Sequence, residues 1–233
     1  MSLEQVIQYK DIFLAADHGW SPNTKTIYQR SFNKYIKDGF PNTTYRAMVI
    51  RCLNRLSKWC FEEGLTKIHK PLSGGNKYTK RTRVFSDDEL EVILNKLKPL
   101  HFQEMVRFIY YTGARQCEVR RFDFKDYGHY IKANSKGEER LIRVNSQAQK
   151  VLARSKKNKW NYSACTASRA FRDNMKRLGI QGTLHDLRRS FGLRMIKKIG
   201  IYQTSKLLGH KSVTTTENHY APLLSVDIDD FEL

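Results

Sequence analysis

The sequence predicts a mainly α fold with a small β-hairpin (α+β class), in which a helical N-terminal domain precedes a larger second domain. Three observations carry this prediction. Apolar residues recur at helical spacing along most of the chain, a basic segment with proline and paired glycines interrupts them, and one later stretch alternates like a hairpin. A chain of 233 residues is long enough for two domains, each with its own core.

The first domain, residues 1–65, is predicted to consist of short amphipathic helices. Ser21 followed by Pro22 is typical of a helix start, because serine caps the free amides and proline suits the first helical position. A second helix is expected from about Thr44 to Gly64, since apolar side chains recur there along one stripe. These stripes indicate a core rather than a functional surface.

Residues 66–85 are predicted to form a basic linker. The segment contains no acid, and its proline and paired glycines disfavour regular structure. A solvated loop and a contact with the backbone of a polyanion are equally good interpretations of its charge. The candidate residues for such a polyanion contact are Lys67, Lys70, Lys77, Lys80, Arg81 and Arg83.

The second domain is predicted to span residues 86–222 and to begin with a well-defined helix start. Ser86 and Glu89 have the spacing of a capping box, in which each side chain bonds the other residue's backbone amide. The stretch "HFQEMVRFIYYTG" then predicts a buried helix that ends near Gly113.

A β-hairpin is predicted within "GHYIKANSKGEERLIRV", residues 128–144. The segments Tyr130–Ile131 and Leu141–Val144 flank a polar turn expected at Asn134–Gly137. Helices are expected from there to the end of the domain. Residues 223–233 form an acidic tail, with four acids and no base.

Charge is the most informative bulk property of the chain. Forty-two Lys and Arg against 23 Asp and Glu give a formal net charge of +19. Such an excess favours a polyanionic partner, and nucleic acid is the first candidate, ahead of an anionic membrane surface or a merely basic protein. The chain has neither an apolar run long enough for a membrane helix nor a signal-peptide pattern, so a cytoplasmic location is expected.

Two arginines and a histidine are candidates for a phosphate site. His185 and Arg188 are three residues apart and share a helix face, and Arg115 follows the predicted break at Gly113. Guanidinium groups offer paired donors that match phosphate oxygens. The alternatives are a solvated basic face around Arg188 and a local ion pair between Arg115 and Glu118.

Tyr220 is a candidate nucleophile, although a half-buried aromatic is the simpler interpretation in a chain with 12 tyrosines. Only roughly a thousandth of a phenol is ionised at neutral pH, so attack requires a base or strong positive charge nearby. The chain has no acidic cluster suited to magnesium, and its four cysteines lack paired spacing. Phosphoryl transfer without metal or other cofactor is therefore the coherent interpretation.

Four stretches follow one another along the chain: "TGARQCEV", the lysine-containing hairpin, "HDLRRSF" and "LLGHKSVTTTENHY". Together they resemble the tyrosine recombinase (phage integrase) family over about residues 84–222. The resemblance implies that Arg115 and Arg188 clamp the scissile phosphate. It also implies that His185 assists proton transfer and that His210 donates a hydrogen bond to a non-bridging oxygen.

The resemblance further implies that Tyr220 attacks the phosphate to form a 3′-phosphotyrosyl link, while Lys136 protonates the departing 5′ oxygen. Lys132 is the rival for the lysine, and Tyr220 lies ten residues after His210 where nine is commoner in the family. A core-binding domain before the catalytic domain, and a homo-tetramer that exchanges C-terminal tails on paired DNA sites, are implied as well. A non-catalytic DNA-binding protein and a DNA-relaxing topoisomerase of the tyrosine class are the alternatives.

Overall fold

The computed structural model describes residues 1–42, 45–75, 82–119, 128–135, 138–155 and 160–224. The chain divides into two compact units, Met1–Lys80 and Arg81–Leu233. In the described part, both units are dominated by helices, and a single two-stranded antiparallel sheet lies in the second unit. The predicted fold class is therefore confirmed. Of the predicted site residues, Lys77, Lys80, Arg81 and Lys136 lie outside the described residues, as does most of the acidic tail, 225–233.

The described part of the first unit contains three helices that pack around aromatic side chains. The predicted start at Ser21 is confirmed, because its hydroxyl accepts a hydrogen bond from the backbone amide of Thr24 at 3.2 Å. The fully buried ring of Phe13 lies at its centre, with five other rings at centroid distances of 4.4–5.9 Å. The helices are α1 (Leu3–Ala15), α2 (Pro22–Asp38) and α3 (Arg46–Glu62).

The second unit has seven described helices and the hairpin. The predicted capping box at Ser86 and Glu89 is present, and the predicted buried helix ends at Gly113. Gly113 has φ +63°, and a Cβ there would lie 2.4 Å from the ring of Phe191, so glycine is required on both grounds. The helices are α4 (Asp87–Lys96), α5 (Leu100–Thr112), α6 (Gln116–Val119), α7 (Ser146–Ser155), α8 (Ala164–Leu178), α9 (Leu184–Leu208) and α10 (Val213–Leu224).

The hairpin consists of β1 (Tyr130–Ser135) and β2 (Glu138–Arg143), paired antiparallel. The predicted turn at Asn134–Gly137 was too wide: Asn134 and Ser135 pair with Glu139 and Glu138, and only positions 136 and 137 remain between the strands. Backbone pairing continues through polar residues because it does not depend on side-chain polarity. One face of the hairpin, with Ile131 and Ile142, packs into the core.

Helix α9 is bent at Gly200, whose φ of +79° is not helical. The segment before the bend carries His185 and Arg188, and Gly209 ends the helix in a left-handed conformation with φ +63°. No helix among the described residues has both the length and the apolar character to cross a bilayer.

Candidate active site

A small cavity of about 160 Å³ in the second unit brings together five of the six predicted catalytic residues. These five come from the residue before α6, from α9, from α10 and from the turn after α9, so residues distant in sequence meet at one point. The sixth, Lys136, lies outside the described residues. The cavity is lined by Arg115, His185, Arg188, Arg189, His210, Thr215, His219 and Tyr220.

Arg188 forms the floor of this cavity and is only 4% exposed. Its guanidinium donates to the carbonyl of Gly113, to the carbonyl of Leu208 at 2.7 Å, and towards Nε2 of His210 at 3.3 Å. These two carbonyls belong to the ends of α5 and α9, where helices leave their last carbonyls without internal partners. Two helix ends therefore fix the orientation of Arg188.

The charge of Arg188 is poorly compensated in the protein alone. Burial, followed by the positive charges of Arg115 and Arg140, lowers the pKa of Arg188 to about 9, and the carboxylate of Glu118 offsets this only in part. The guanidinium remains protonated at neutral pH, so the cavity has a positive potential. An anion of small size would relieve this repulsion, so the cavity is electrostatically suited to one.

Arg115 immediately precedes α6 and is held by Glu118, three residues later. Oε1 of Glu118 accepts from the Arg115 guanidinium at 2.8 Å, and Oε2 accepts from the Arg115 backbone amide at 2.6 Å. The ion pair offered as an alternative to a phosphate role is thus present. It leaves the Arg115 side chain 32% exposed at the cavity, so pairing with Glu118 and binding an anion are compatible.

Glu118 has a second partner, Arg140 from β2, which was not among the predicted site residues. Nε and a terminal nitrogen of Arg140 donate to the two carboxylate oxygens at 2.8 and 2.7 Å. Burial alone raises the pKa of Glu118, but the hydrogen bonds and charges of Arg140 and Arg115 outweigh it and lower the pKa to about 2. Glu118 is therefore ionised throughout the physiological range.

His210 follows the turn at Gly209 and is held from both sides. Its Nδ1 lies 2.7 Å from the hydroxyl of the buried Thr216, and its Nε2 faces Arg188. Since Arg188 can only donate, Nε2 is an acceptor here and the proton of the neutral ring belongs on Nδ1. Burial and then the charges of Arg188 and Arg115 lower the pKa of His210 to about 4, so the ring is neutral at pH 7.

His185 lies at the mouth of the cavity, exposed on its outer side. The prediction that it shares a helix face with Arg188 holds, but the two differ in depth. Loss of water on the inner side of the ring, together with the charges of Arg189 and Arg188, lowers the pKa of His185. A neutral imidazole beside solvent is suited to accept a proton.

Tyr220 lies on α10 and is only 3% exposed. Its ring packs on α9 where Gly192 leaves room: a Cβ at Gly192 would lie 2.1 Å from the Tyr220 hydroxyl oxygen. Burial raises the pKa of Tyr220, while the charges of Arg188 and Arg189 act in the opposite direction. Tyr220 is thus both a core aromatic and a cavity residue, so the two interpretations of its sequence are not exclusive.

Several further residues belong to the site without having been predicted. Arg189 is 6% exposed, forms an ion pair with Asp186 and donates to the carbonyl of Arg83 at 3.1 Å. His219 and Thr215 line the cavity from α10. Arg189 directly follows Arg188 in the sequence, and His219 directly precedes Tyr220. Neighbours along a helix do not normally share a face, so the sequence did not indicate that these residues line the same cavity.

The predicted lysine rival and the predicted linker cations have different surroundings. Lys132 is exposed and faces away from the buried side of the hairpin. Lys67 and Lys70 are exposed, whereas Arg83 pairs with Glu89. Within the described residues, no group of three or more His, Cys, Asp or Glu side chains is placed to hold a metal ion.

The model of the Phage integrase family matches residues 83–225, and the chain belongs to this family. A tyrosine recombinase XerA of Saccharolobus solfataricus is 25% identical over 150 residues, which cover 59% of this chain and 52% of that protein. The chain thus spans about half the length of that relative.

Solved structures with 17–18% identity have the same fold. A lambda integrase dimer bound to a COC' core site is matched over 100% of both chains with a TM-score of 0.81 and 18% identity. A lambda integrase tetramer bound to a Holliday junction is matched over 100% of this chain and 80% of the other, with a TM-score of 0.75 and 17% identity.

Proposed function

We propose that this protein is a site-specific DNA recombinase that cleaves and rejoins DNA through a 3′-phosphotyrosyl link at Tyr220, without metal or ATP. The observation that carries the proposal is the cavity, in which Tyr220 lies beside the guanidinium groups of Arg115, Arg188 and Arg189. The buried Arg188 donates to carbonyls rather than to a carboxylate, and His185 and His210, whose pKa values are lowered, line the same cavity. A phosphodiester has the charge and the size for this position.

Arg188 and Arg115 are proposed to bind the non-bridging oxygens of the scissile phosphate. Both are held by protein carbonyl or carboxylate groups before DNA arrives, so little reorganisation is needed. An oxygen that accepts from Arg188 also frees Nε2 of His210 from its present neighbour. His210 can then take a proton and donate to the same phosphate, because the negative charge stabilises the imidazolium.

Tyr220 is proposed to attack only when the phosphate is bound. Burial keeps its phenol protonated in the free protein, which protects the chain from unwanted reaction. His185, neutral and open to solvent, is proposed to accept the phenolic proton as the oxygen bonds to phosphorus. Lys136 is proposed to protonate the departing 5′ oxygen, and the 5′ hydroxyl of a partner strand reverses the bond.

The remaining parts of the chain are proposed to bind DNA and the neighbouring protomers of the assembly. Residues 1–65 would form a core-binding domain, 66–85 a basic linker, 86–222 the catalytic domain and 223–233 a tail exchanged between protomers. Double-stranded DNA as partner follows from the charge of +19. Assembly as a homo-tetramer is supported by the likeness to the lambda integrase tetramer. A cytoplasmic location accords with the lack of a membrane-crossing helix in the described part.

Covalent capture tests the proposed function without knowledge of the target site. The protein is incubated, without metal or ATP, with randomly nicked duplexes of random sequence, and the mixture is denatured in detergent. A nick just 3′ of the cleaved bond lets the short fragment that carries the free 5′ hydroxyl diffuse away, which traps the adduct. We expect captured DNA that shares one sequence and is lost in Tyr220→Phe.

Two controls define the result. Tyr202→Phe changes a 62% exposed tyrosine on α9 and should leave the adduct unchanged. Salt-sensitive binding by Tyr220→Phe should persist, since the phosphate contacts remain. If the Tyr220→Phe protein still forms the adduct, Tyr220 is not the nucleophile. Tight binding without any adduct would favour a non-catalytic DNA-binding protein, and capture without a shared sequence would favour a relaxing enzyme.

A further inference from the structure

Arg140 joins three elements that surround the catalytic cavity, although it does not line the cavity itself. From β2 it reaches both carboxylate oxygens of Glu118 on α6, at 2.8 and 2.7 Å. Its remaining terminal nitrogen donates to the carbonyl of Leu207 at the end of α9, at 3.3 Å. A forked pair of this kind fixes direction as well as distance.

The turn before His210 is shaped around the Arg140 side chain. A Cβ on Gly209 would lie 2.7 Å from Cδ of Arg140 and 3.0 Å from one of its terminal nitrogens. Gly209 also has φ +63°, which favours glycine independently. Arg140 and Arg188 bond two successive carbonyls, those of Leu207 and Leu208, so the two guanidinium groups together hold the end of α9.

The distribution of charge gives Arg140 a second task. Glu118 carries one negative charge and contacts two cations, Arg140 and Arg115. Arg140 is the more buried of the two, with 12% of its side chain exposed against 32% for Arg115, and it engages both oxygens. Arg140 therefore balances the carboxylate, and the charge of Arg115 stays available to an anion in the cavity.

We infer that Arg140 is a positioning residue of the catalytic site: it balances Glu118 so that Arg115 can bind the scissile phosphate, and it holds the turn that delivers His210. This inference rests on the proposed function. It also ties the hairpin to the segment that carries Arg115 and to the helix that carries Arg188.

The role of Arg140 is tested by measuring the single-turnover rate of adduct formation on DNA of the captured sequence. Arg140→Gln should leave DNA binding within about twofold and slow adduct formation about 100-fold, because Glu118 then competes with the phosphate for Arg115. The matched control is Arg143→Gln, which changes an exposed arginine of the same strand on its other face and should cleave like the unchanged protein.

A double variant separates the charge role from a merely structural one. Glu118→Gln alone should also slow cleavage, since Arg115 loses its anchor. Added to Arg140→Gln, it should restore adduct formation about tenfold, because the competing carboxylate is gone. Cleavage by Arg140→Gln within twofold of the unchanged protein, or a double variant no faster than Arg140→Gln, would overturn the inference.

Arg140→Lys covers the case in which Arg140→Gln fails to fold. It keeps the charge but loses the fork, so it should cleave more slowly than the unchanged protein with an unchanged unfolding temperature. Full activity of Arg140→Lys would contradict a need for the forked contact. Every variant is compared with the unchanged protein. If the unchanged protein itself forms no adduct, the proposed function is wrong, and this result is distinct from a failure of the inference about Arg140.

Discussion

The two units of the molecule bury different kinds of side chain. Among the described residues of the first unit, the buried polar side chains are Ser31 and Ser57, and the rest of its core is apolar. Its centre, around Phe13, is built from aromatic rings. The second unit, by contrast, buries charges: Glu104, Glu118, Asp186, Arg188 and Arg189.

This difference shows where the chain accepts a cost in stability for function. A buried charge is unfavourable unless it is paired, and Arg188 has neutral carbonyls and other cations around it rather than a carboxylate of its own. The first unit carries no comparable cost in its described core. The comparison therefore predicts that changes in the second unit's cavity alter chemistry, whereas changes in the first unit's core alter stability.

The largest effect is expected from Arg188→Met. Loss of a guanidinium that stabilises a transferring phosphoryl group should slow adduct formation about 10⁴-fold. Thermal unfolding should change little, because a buried cation repelled by its neighbours is removed along with its two carbonyl contacts. Arg194→Met, on the same helix and 42% exposed, is the control and should retain cleavage. If the Arg188→Met protein cleaves at a tenth of the normal rate, the buried charge of Arg188 is not required for the chemistry.

The next effect concerns the first unit. Phe13→Ala should lower the free energy of unfolding by about 3–5 kcal/mol, since it leaves a cavity among five rings. Urea titration followed by tryptophan fluorescence measures this loss. Ile12→Ala changes the neighbouring 56% exposed residue and should cost about 0.5 kcal/mol or less. A similar loss in both variants would show that Phe13 is not the centre of a packed core.

The smallest effect is a dependence of stability on pH that originates in the second unit. The pKa of His210 is about 4 in the fold against 6.5 ordinarily, and that of Glu118 is about 2 against 4.5. Both are lowered by folding, so each group's contribution is complete above its ordinary pKa and is lost as pH falls through the folded value. Stability should decline in two steps, from pH 6.5 to 4 and from 4.5 to 2.

Variants assign these two steps. His210→Asn should flatten the decline between pH 6.5 and 4, and Glu118→Gln the decline between 4.5 and 2, in urea titrations at stepped pH. Curves that keep both steps in both variants would place the responsible groups elsewhere, for instance in the first unit, and would undo the contrast between the units.

The sequence predicts local structure well where a single residue type satisfies a local requirement. The capping box at Ser86 and the glycine stop at Gly113 follow from backbone amides and backbone conformation, which neighbouring residues decide. The hairpin turn was too wide because strand pairing extended through Asn134 and Ser135, which side-chain polarity does not reveal.

The site was predictable only in part, since many of its contacts join residues that are distant in the sequence. Helical spacing placed His185 and Arg188 on one face, yet it did not show that Arg188 is buried while His185 is exposed. The fork between Arg140 and Glu118 joins residues 22 apart through β2 and α6. No local pattern encodes such a contact, and it becomes visible only when the hairpin packs against the helices.

Mapping the atom that carries the DNA tests most directly whether Tyr220 is the nucleophile. Covalently captured complexes are digested with protease and nuclease, and the modified peptide is sequenced by mass spectrometry. We expect a nucleotide 3′-phosphate on the peptide that contains Tyr220, with the modification on that residue. A nucleotide attached to any other residue, such as His219 or Tyr202, would contradict it.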